Sequence, residues 1–98
     1  MRIITRKRID DFSDIHADAA NALNEWYDKA ELSNWTNFAE LKQSFNSVDS
    51  VGNKRYVFNI KGNMYRLVAL ILFTPGIVYI RFIGTHTEYN RIKDCSKL

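Results

Sequence analysis

The side chains able to do chemistry crowd the C-terminal half of the chain: Lys61, Arg66, Arg81, His86 and Tyr89. His86 stands in Gly84-Thr85-His86-Thr87-Glu88-Tyr89, directly after an apolar run, which places it at the rim of a sheet rather than in a core. Imidazole, with an ordinary pKa of about 6.5, is suited to proton transfer near neutral pH. A lone histidine is more often structural, so its surroundings decide. Tyr89 falls beside it if one turn of helix follows the strand. Arginines and a lysine on an adjoining face can bind a phosphodiester and stabilise the charge that builds on it during cleavage. Asn59 is placed to orient a base or a ribose hydroxyl. A metal centre is not expected, because His16 and His86 lie in different elements and neither has a carboxylate cluster beside it.

The elements that must position these groups are written in Tyr56 to Tyr89. Three strand-like runs, split by Gly62-Asn63 and Pro75-Gly76, predict a three-stranded antiparallel meander. A two-residue Gly62-Asn63 turn of type II′ pairs Lys61 with Met64. Tyr56, Phe58 and Ile60 then share an apolar face with Tyr65, Leu67 and Ala69, while Val57, Asn59 and Lys61 share the other with Met64, Arg66 and Val68. An even loop at Pro75-Gly76 adds Val78, Ile80 and Phe82 to the apolar face and Tyr79, Arg81 and Ile83 to the other. An odd loop would set Arg66 against apolar residues, burying a charge without a partner.

Ahead of the meander, Met1 to Thr5 can add an edge strand. From about Arg8 to Asp28 or Lys29 the stripe Ile9, Phe12, Ile15 or His16, Ala19, Leu23 and Trp26 has the helical period. Its acids Asp10, Asp11, Asp14 and Asp18 read as a solvated face. A second helix is expected from Asn34 as N-cap, carrying Trp35, Phe38, Leu41 and Phe45. Asn46 to Asn53 reads as a polar loop. The expected architecture is α+β: an N-terminal strand, a helical hairpin and the meander, with the helices on one face of a small sheet. At 98 residues this is one domain, 1–98, with one core.

Apolar content of 46% and charged content of 26% are ordinary for a globular protein, but the charge is polarised. Residues 1–53 hold six Lys/Arg against nine Asp/Glu, a net of −3, and residues 54–98 hold eight against two, a net of +6. A basic sheet half beside an acidic helical half points to an anionic partner on the sheet side, most often nucleic acid. The single cysteine, Cys95, excludes an internal disulfide or thiolate cluster, fits a reducing cytosol and reads as an inert thiol in a frayed tail. Arg6, Lys7 and Arg8 interrupt any secretory signal, and Pro75-Gly76 with Arg81 breaks the longest apolar region, so no membrane span is expected.

With these residues in view, the chain resembles a known family. Tyr56-Val57-Phe58-Asn59-Ile60-Lys61-Gly62-Asn63, Tyr65-Arg66-Leu67-Val68 and Tyr79-Ile80-Arg81-Phe82-Ile83-Gly84-Thr85-His86 with Glu88-Tyr89 are similar to the HigB toxins. The Ile3-Ile4 strand and the helix with His16, Leu23, Glu25, Trp26 and Tyr27 fit the same pattern, so the resemblance spans about residues 1–92. One departure is Ala17 after His16, where many relatives have proline. The resemblance implies a RelE-like fold and a metal-independent, cofactor-free endoribonuclease. It would cut messenger RNA during translation by attack of the ribose 2′-hydroxyl, in the cytoplasm, and be silenced by a HigA-like helix-turn-helix antitoxin.

Residue by residue, the resemblance implies His86 as leading general acid or base, with Lys61 as its competitor, and Arg66 and Arg81 at the scissile phosphate. Tyr89 would stack on a base or aid proton transfer, and Asn59 and Asn63 would position the nucleotide. Arg2, Arg6, Lys7, Arg8, Lys54, Arg55, Arg91 and Lys93 would meet ribosomal RNA phosphates, a sequence-blind and salt-sensitive contribution. Two rival classes are a non-enzymatic RNA- or ribosome-binding inhibitor and a ParE-like toxin acting on gyrase by protein contact.

Overall fold

The computed structural model describes residues 1–98 as β1 (Arg2–Ile4), α1 (Arg6–Ile15), α2 (Ala20–Leu32), α3 (Phe38–Ser44), β2 (Asp49–Gly52), β3 (Arg55–Ile60), β4 (Tyr65–Leu72), β5 (Ile77–Thr85) and α4 (His86–Asn90). The three apolar runs form the expected meander, and their alternation sets its faces. Tyr56, Phe58, Ile60, Tyr65, Leu67, Ala69, Ile71, Val78 and Ile80 enter one buried cluster with Ile9, Leu23, Trp26 and Leu41 from the helices. Each large apolar side chain so buried contributes about 1.5–3 kcal/mol over leaving it in water. The sheet order is β1-β5-β4-β3-β2, with β1 parallel to β5 and the other pairs antiparallel. β4 is therefore the central strand.

Several expectations are corrected in detail. The polar stretch after the helices is not wholly a loop, because Asp49 to Gly52 pairs with β3 as a fifth, edge strand. Its hydrogen bonds are made by backbone, so polar side chains on a solvated edge do not disfavour it. The long first helix is broken: His16 (φ −120°, ψ 75°) leaves helical geometry, and a 3-10 turn at Ala17–Ala19 leads into α2. The His16 ring stacks on Phe12 at 4.5 Å between centroids and meets Tyr65 edge-on at 5.5 Å, which ties the break to the sheet. The second helix starts later than Asn34, because Asn37 is the N-cap and its side chain accepts from the Glu40 amide at 3.0 Å.

In β5 the loop before the strand is even, as expected, with Leu72 paired to Ile77. The register holds to Ala69–Ile80 and then shifts, because Arg81 is one residue more than β4 can match. Phe82 consequently pairs with Val68 on the open face and Ile83 with Leu67 on the helix face, the reverse of the expectation. The open face is not bare, since α4 packs on β4 and β5 and a 3-10 turn at Cys95–Lys97 packs on β2 and β3. Val57 and Val68 are buried under this cover without belonging to the helix-side cluster. The expectation of a frayed tail is thus corrected.

Gly84 is the glycine with the least room: a Cβ there would lie 2.4 Å from the tip of the Phe82 ring. Replacing Gly84→Ala should cost about 1–3 kcal/mol in urea unfolding, and adding Phe82→Ala should make the two costs non-additive in the Gly84 variant's favour. Additive costs would mean that the ring does not occupy that space.

Candidate functional site

One row of the sheet carries the site. The register sets Asn59 of β3 opposite Arg66 of β4, and Arg66 opposite Gly84 of β5. Because Gly84 has no side chain, the Phe82 ring folds over it beside this row. Arg66 is half-buried, and its Nη1 donates to the carbonyls of Asn63 at 3.2 Å and Tyr65 at 3.3 Å. The guanidinium lies 5.8 Å from the centroid of the Tyr89 ring. It forms no ion pair, and Nε and Nη2 make no hydrogen bond within the protein. A cation aimed by two carbonyls and one ring, with donors to spare, is suited to an anion.

His86 arrives through a helix start. Thr85 is the N-cap of α4 and forms a capping box with Glu88: the Glu88 amide donates to Thr85 Oγ1 at 3.1 Å, and the Thr85 amide to Glu88 Oε1 at 2.8 Å. Those bonds to Thr85, backbone first, hold the Glu88 carboxyl below its ordinary range. The His86 amide donates to the Met64 carbonyl at 3.1 Å, so α4 is stapled to the β3–β4 hairpin that also aims Arg66. The imidazole is exposed, and Asn90 Nδ2 lies 3.2 Å from its Nδ1. With the amide nitrogen as donor, Nδ1 accepts, which leaves Nε2 of the ring free of any partner within the protein.

Tyr89 sits under the C-terminal segment. Burial, then the Cys95 thiol beside its hydroxyl, push its pKa up to about 12 against the opposing pull of Arg66. At neutral pH it is a phenol, able to stack or to donate a hydrogen bond but not to act as a base. The segment is fastened beyond it: Asn53 Nδ2 donates to the Ser96 carbonyl at 3.2 Å, and Arg55 Nε and Nη2 donate to the Leu98 carbonyl at 2.9 and 2.7 Å.

Lys61 is not where the alternation puts it. It has φ +52°, which turns it out of β3, and its Nζ donates to Asp18 Oδ2 at 3.0 Å. The Tyr65 hydroxyl donates to the same carboxylate at 2.8 Å, so Lys61 joins the helix-side rim rather than the face of Arg66. Arg81, the extra residue of the bulge, has no place in the row: Arg66 pairs with Gly84, not with it. Its carbonyl, past the end of β1, accepts from Arg8 Nη1 at 3.3 Å.

Of the other basic residues, Arg6 donates to Asn24 at 2.6 Å and lies over Tyr27, and Lys7 pairs with Asp11 at 2.8 Å. Lys54, Arg91 and Lys93 are exposed and form no ion pair. The structure therefore gathers Asn59, Asn63, Arg66, His86 and Tyr89, and leaves Lys61 and Arg81 outside. Sequence reasoning missed Asp18, read as one of a solvated set. The available signal was Tyr65, a tyrosine on a buried face whose hydroxyl needs a partner.

A family described as HigB toxin, RelE-like toxic component of a toxin-antitoxin system, matches residues 19–92. The mRNA interferase toxin HigB of Escherichia coli strain K12 is 32% identical over 92 residues, 92% of this chain and 88% of that protein. The mRNA interferase HigB of Shigella flexneri shows the same identity and coverage. That of Escherichia coli O6:H1 is 26% identical over 94 residues, 94% of this chain and 91% of its own.

The Asp18 carboxyl is held below its ordinary value of 3.8, first by Lys61 and then by Tyr65. Its stabilisation is fully present above that value and is lost as pH falls through the lower folded one. In thermal melts from about pH 6 to pH 2, the gap between the parent and Asp18→Asn should be widest above about pH 4 and should close on acidification. A gap independent of pH would remove the charge from the account.

Proposed function

The chain belongs to the HigB family of RelE-like toxic components of toxin-antitoxin systems, and we propose on that footing that it is an mRNA interferase acting through the Arg66–His86–Tyr89 site. Residues 1–98 work as one toxin domain in the cytoplasm, on message held by a translating ribosome, until a HigA-like helix-turn-helix antitoxin covers it. The observation that carries this reading is Arg66, aimed by the carbonyls of Asn63 and Tyr65 and without an acidic partner, on the same hairpin that anchors the His86 backbone.

The ribose 2′-hydroxyl attacks the neighbouring phosphorus, and its proton passes to a base as the new P–O bond forms. The bond to the 5′-oxygen breaks, and that oxygen takes a proton, leaving a cyclic phosphate and a 5′-hydroxyl. Arg66 faces the charge that gathers on the non-bridging oxygens, where a preorganised cation is worth most. His86 moves a proton through Nε2, and Tyr89, neutral, stacks on a base or donates to the phosphate. Asn59 and Asn63 position the nucleotide. Lys61, whose exposed pair with Asp18 is weak enough to exchange, is the candidate for the second proton transfer, and Arg81 lies outside the row. The exposed Lys54, Arg91 and Lys93 meet ribosomal RNA, with Lys7 as a weaker contributor because Asp11 already pairs with it. No helix is long and apolar enough to cross a membrane.

Primer extension on a defined message translated by purified ribosomes tests this. The parent should give position-specific cuts, His86→Ala should lower their rate by about 10²–10⁴-fold, and Arg66→Ala should lower it comparably with the fold intact. Lys93→Ala should instead flatten the salt dependence of ribosome association. Intact message with translation stopped would make the protein a binder, and unaffected translation would redirect attention to gyrase.

A further inference from the structure

A cleft runs along β3 on the side away from β4, where β2 has ended. β2 pairs only with residues 55–57, so the outer edge of Phe58, Asn59 and Ile60 has no strand partner. A cavity of about 380 Å³ there is lined by Lys29 of α2, Gln43 and Phe45 at the end of α3, Asn46, Ser47 and Asn59 among others. An adjoining one of about 200 Å³ shares Lys29, Phe45 and Asn59 and reaches Trp26, Glu25 and Lys61. We propose that this cleft is a nucleobase subsite, taking the base next to the phosphate held by Arg66. The proposal rests on the ribonuclease reading and deepens it, by locating where sequence preference arises.

The lining argues for a base rather than another ligand. The larger cavity holds several neutral hydrogen-bonding side chains, one cation and two phenylalanines, and no carboxylate. A nucleobase is flat and uncharged and offers donors and acceptors along its edge, which is what amides and hydroxyls read. Lys29 Nζ sits 4.9 Å from the centroid of the Phe45 ring, a cationic group beside an aromatic one that suits a nucleotide's phosphate and base together. The indole Nε1 of Trp26, which lines the smaller cavity, is the one buried side-chain polar atom left without a hydrogen-bond partner. Position completes the case. Asn59 lines both cavities and is the register partner of Arg66, so the cleft opens on the strand next to the one that carries the phosphate-binding arginine.

The test is a titration of ¹⁵N-labelled protein with each of the four nucleoside monophosphates, beside base-resolved mapping of cuts in translated message by the parent and by a Gln43→Ala, Asn46→Ala variant. The proposal expects saturable amide shifts at residues 43–47 and 59 that differ among the four bases and vanish in the variant. It also expects the ratio of cutting between most and least favoured bases to narrow by about tenfold in the variant, one good base contact's worth. Shifts confined to residues 63–66 and 86–89, with the variant's base preference unchanged, would overturn the subsite while leaving the ribonuclease standing. Base-selective shifts in the cleft from a protein that cuts nothing would keep the subsite and sink the ribonuclease. Shifts absent throughout, with an unchanged preference, would mean that the cleft takes something else, such as a peptide strand added to the β3 edge.

Discussion

One extra residue in β5 decides how the site is assembled. Were the Ala69–Ile80 register continued, Arg66 would face Ile83 and Tyr65 would face Gly84, with Ile83 pressed onto the open face. The bulge at Arg81 moves the strand by one place, so that Ile83 returns to the core side and Gly84 stands opposite Arg66. That exchange lets the Phe82 ring lie over Gly84 beside the arginine, and it brings Thr85 level with Tyr65. His86 is then the next residue, in reach of the Met64 carbonyl, and the capping box starts α4 there. A site that combines a strand arginine with a helix-start histidine depends on that offset.

Two further fastenings hold this arrangement from opposite sides of the sheet. On the helix side, Asp18 accepts from both Lys61 and Tyr65, joining the 3-10 turn between α1 and α2 to the hairpin that carries Asn63 and Met64. The pair is exposed enough that its value lies in geometry more than in energy, as for surface ion pairs generally. On the open side, the last residues cross toward β2 and β3 and end against Arg55 and Asn53, with Cys95 beside the Tyr89 hydroxyl. The hairpin tip is thereby braced below while Tyr89 is roofed above, and Arg66 lies between them. Preorganisation of this kind is what a site needs if charge, rather than a metal, is to stabilise a phosphoryl transition state.

Much of this was legible in the chain. The period-two alternation of Tyr56 to Ile60 and Tyr65 to Ile71 fixed which face is buried, because one face of the sheet had to be dry. The placement of Asn59 opposite Arg66 followed from the hairpin register, and His86 at the rim followed from where the apolar run stops. What escaped was local backbone geometry with no hydrophobic signature. Lys61 leaves its face through a positive φ, and Arg81 drops out of the row through a bulge. β2 is held by backbone bonds under polar side chains, and the break at His16 is met by an edge-on contact with Tyr65 that only the folded sheet provides. The family resemblance supplied the chemistry, while the residues alone supplied an anion-binding face and a histidine.

The central claim is that Arg66 and His86 serve an attack by the ribose 2′-hydroxyl on its own phosphate. The most direct measurement uses a translated message bearing a single 2′-deoxy residue at the cut. The account predicts that cleavage there disappears, while the all-ribose message yields fragments with a cyclic phosphate on one side and a 5′-hydroxyl on the other. Undiminished cleavage of the deoxy message, with a 5′-phosphate on the downstream fragment, would contradict it and assign the nucleophile to water.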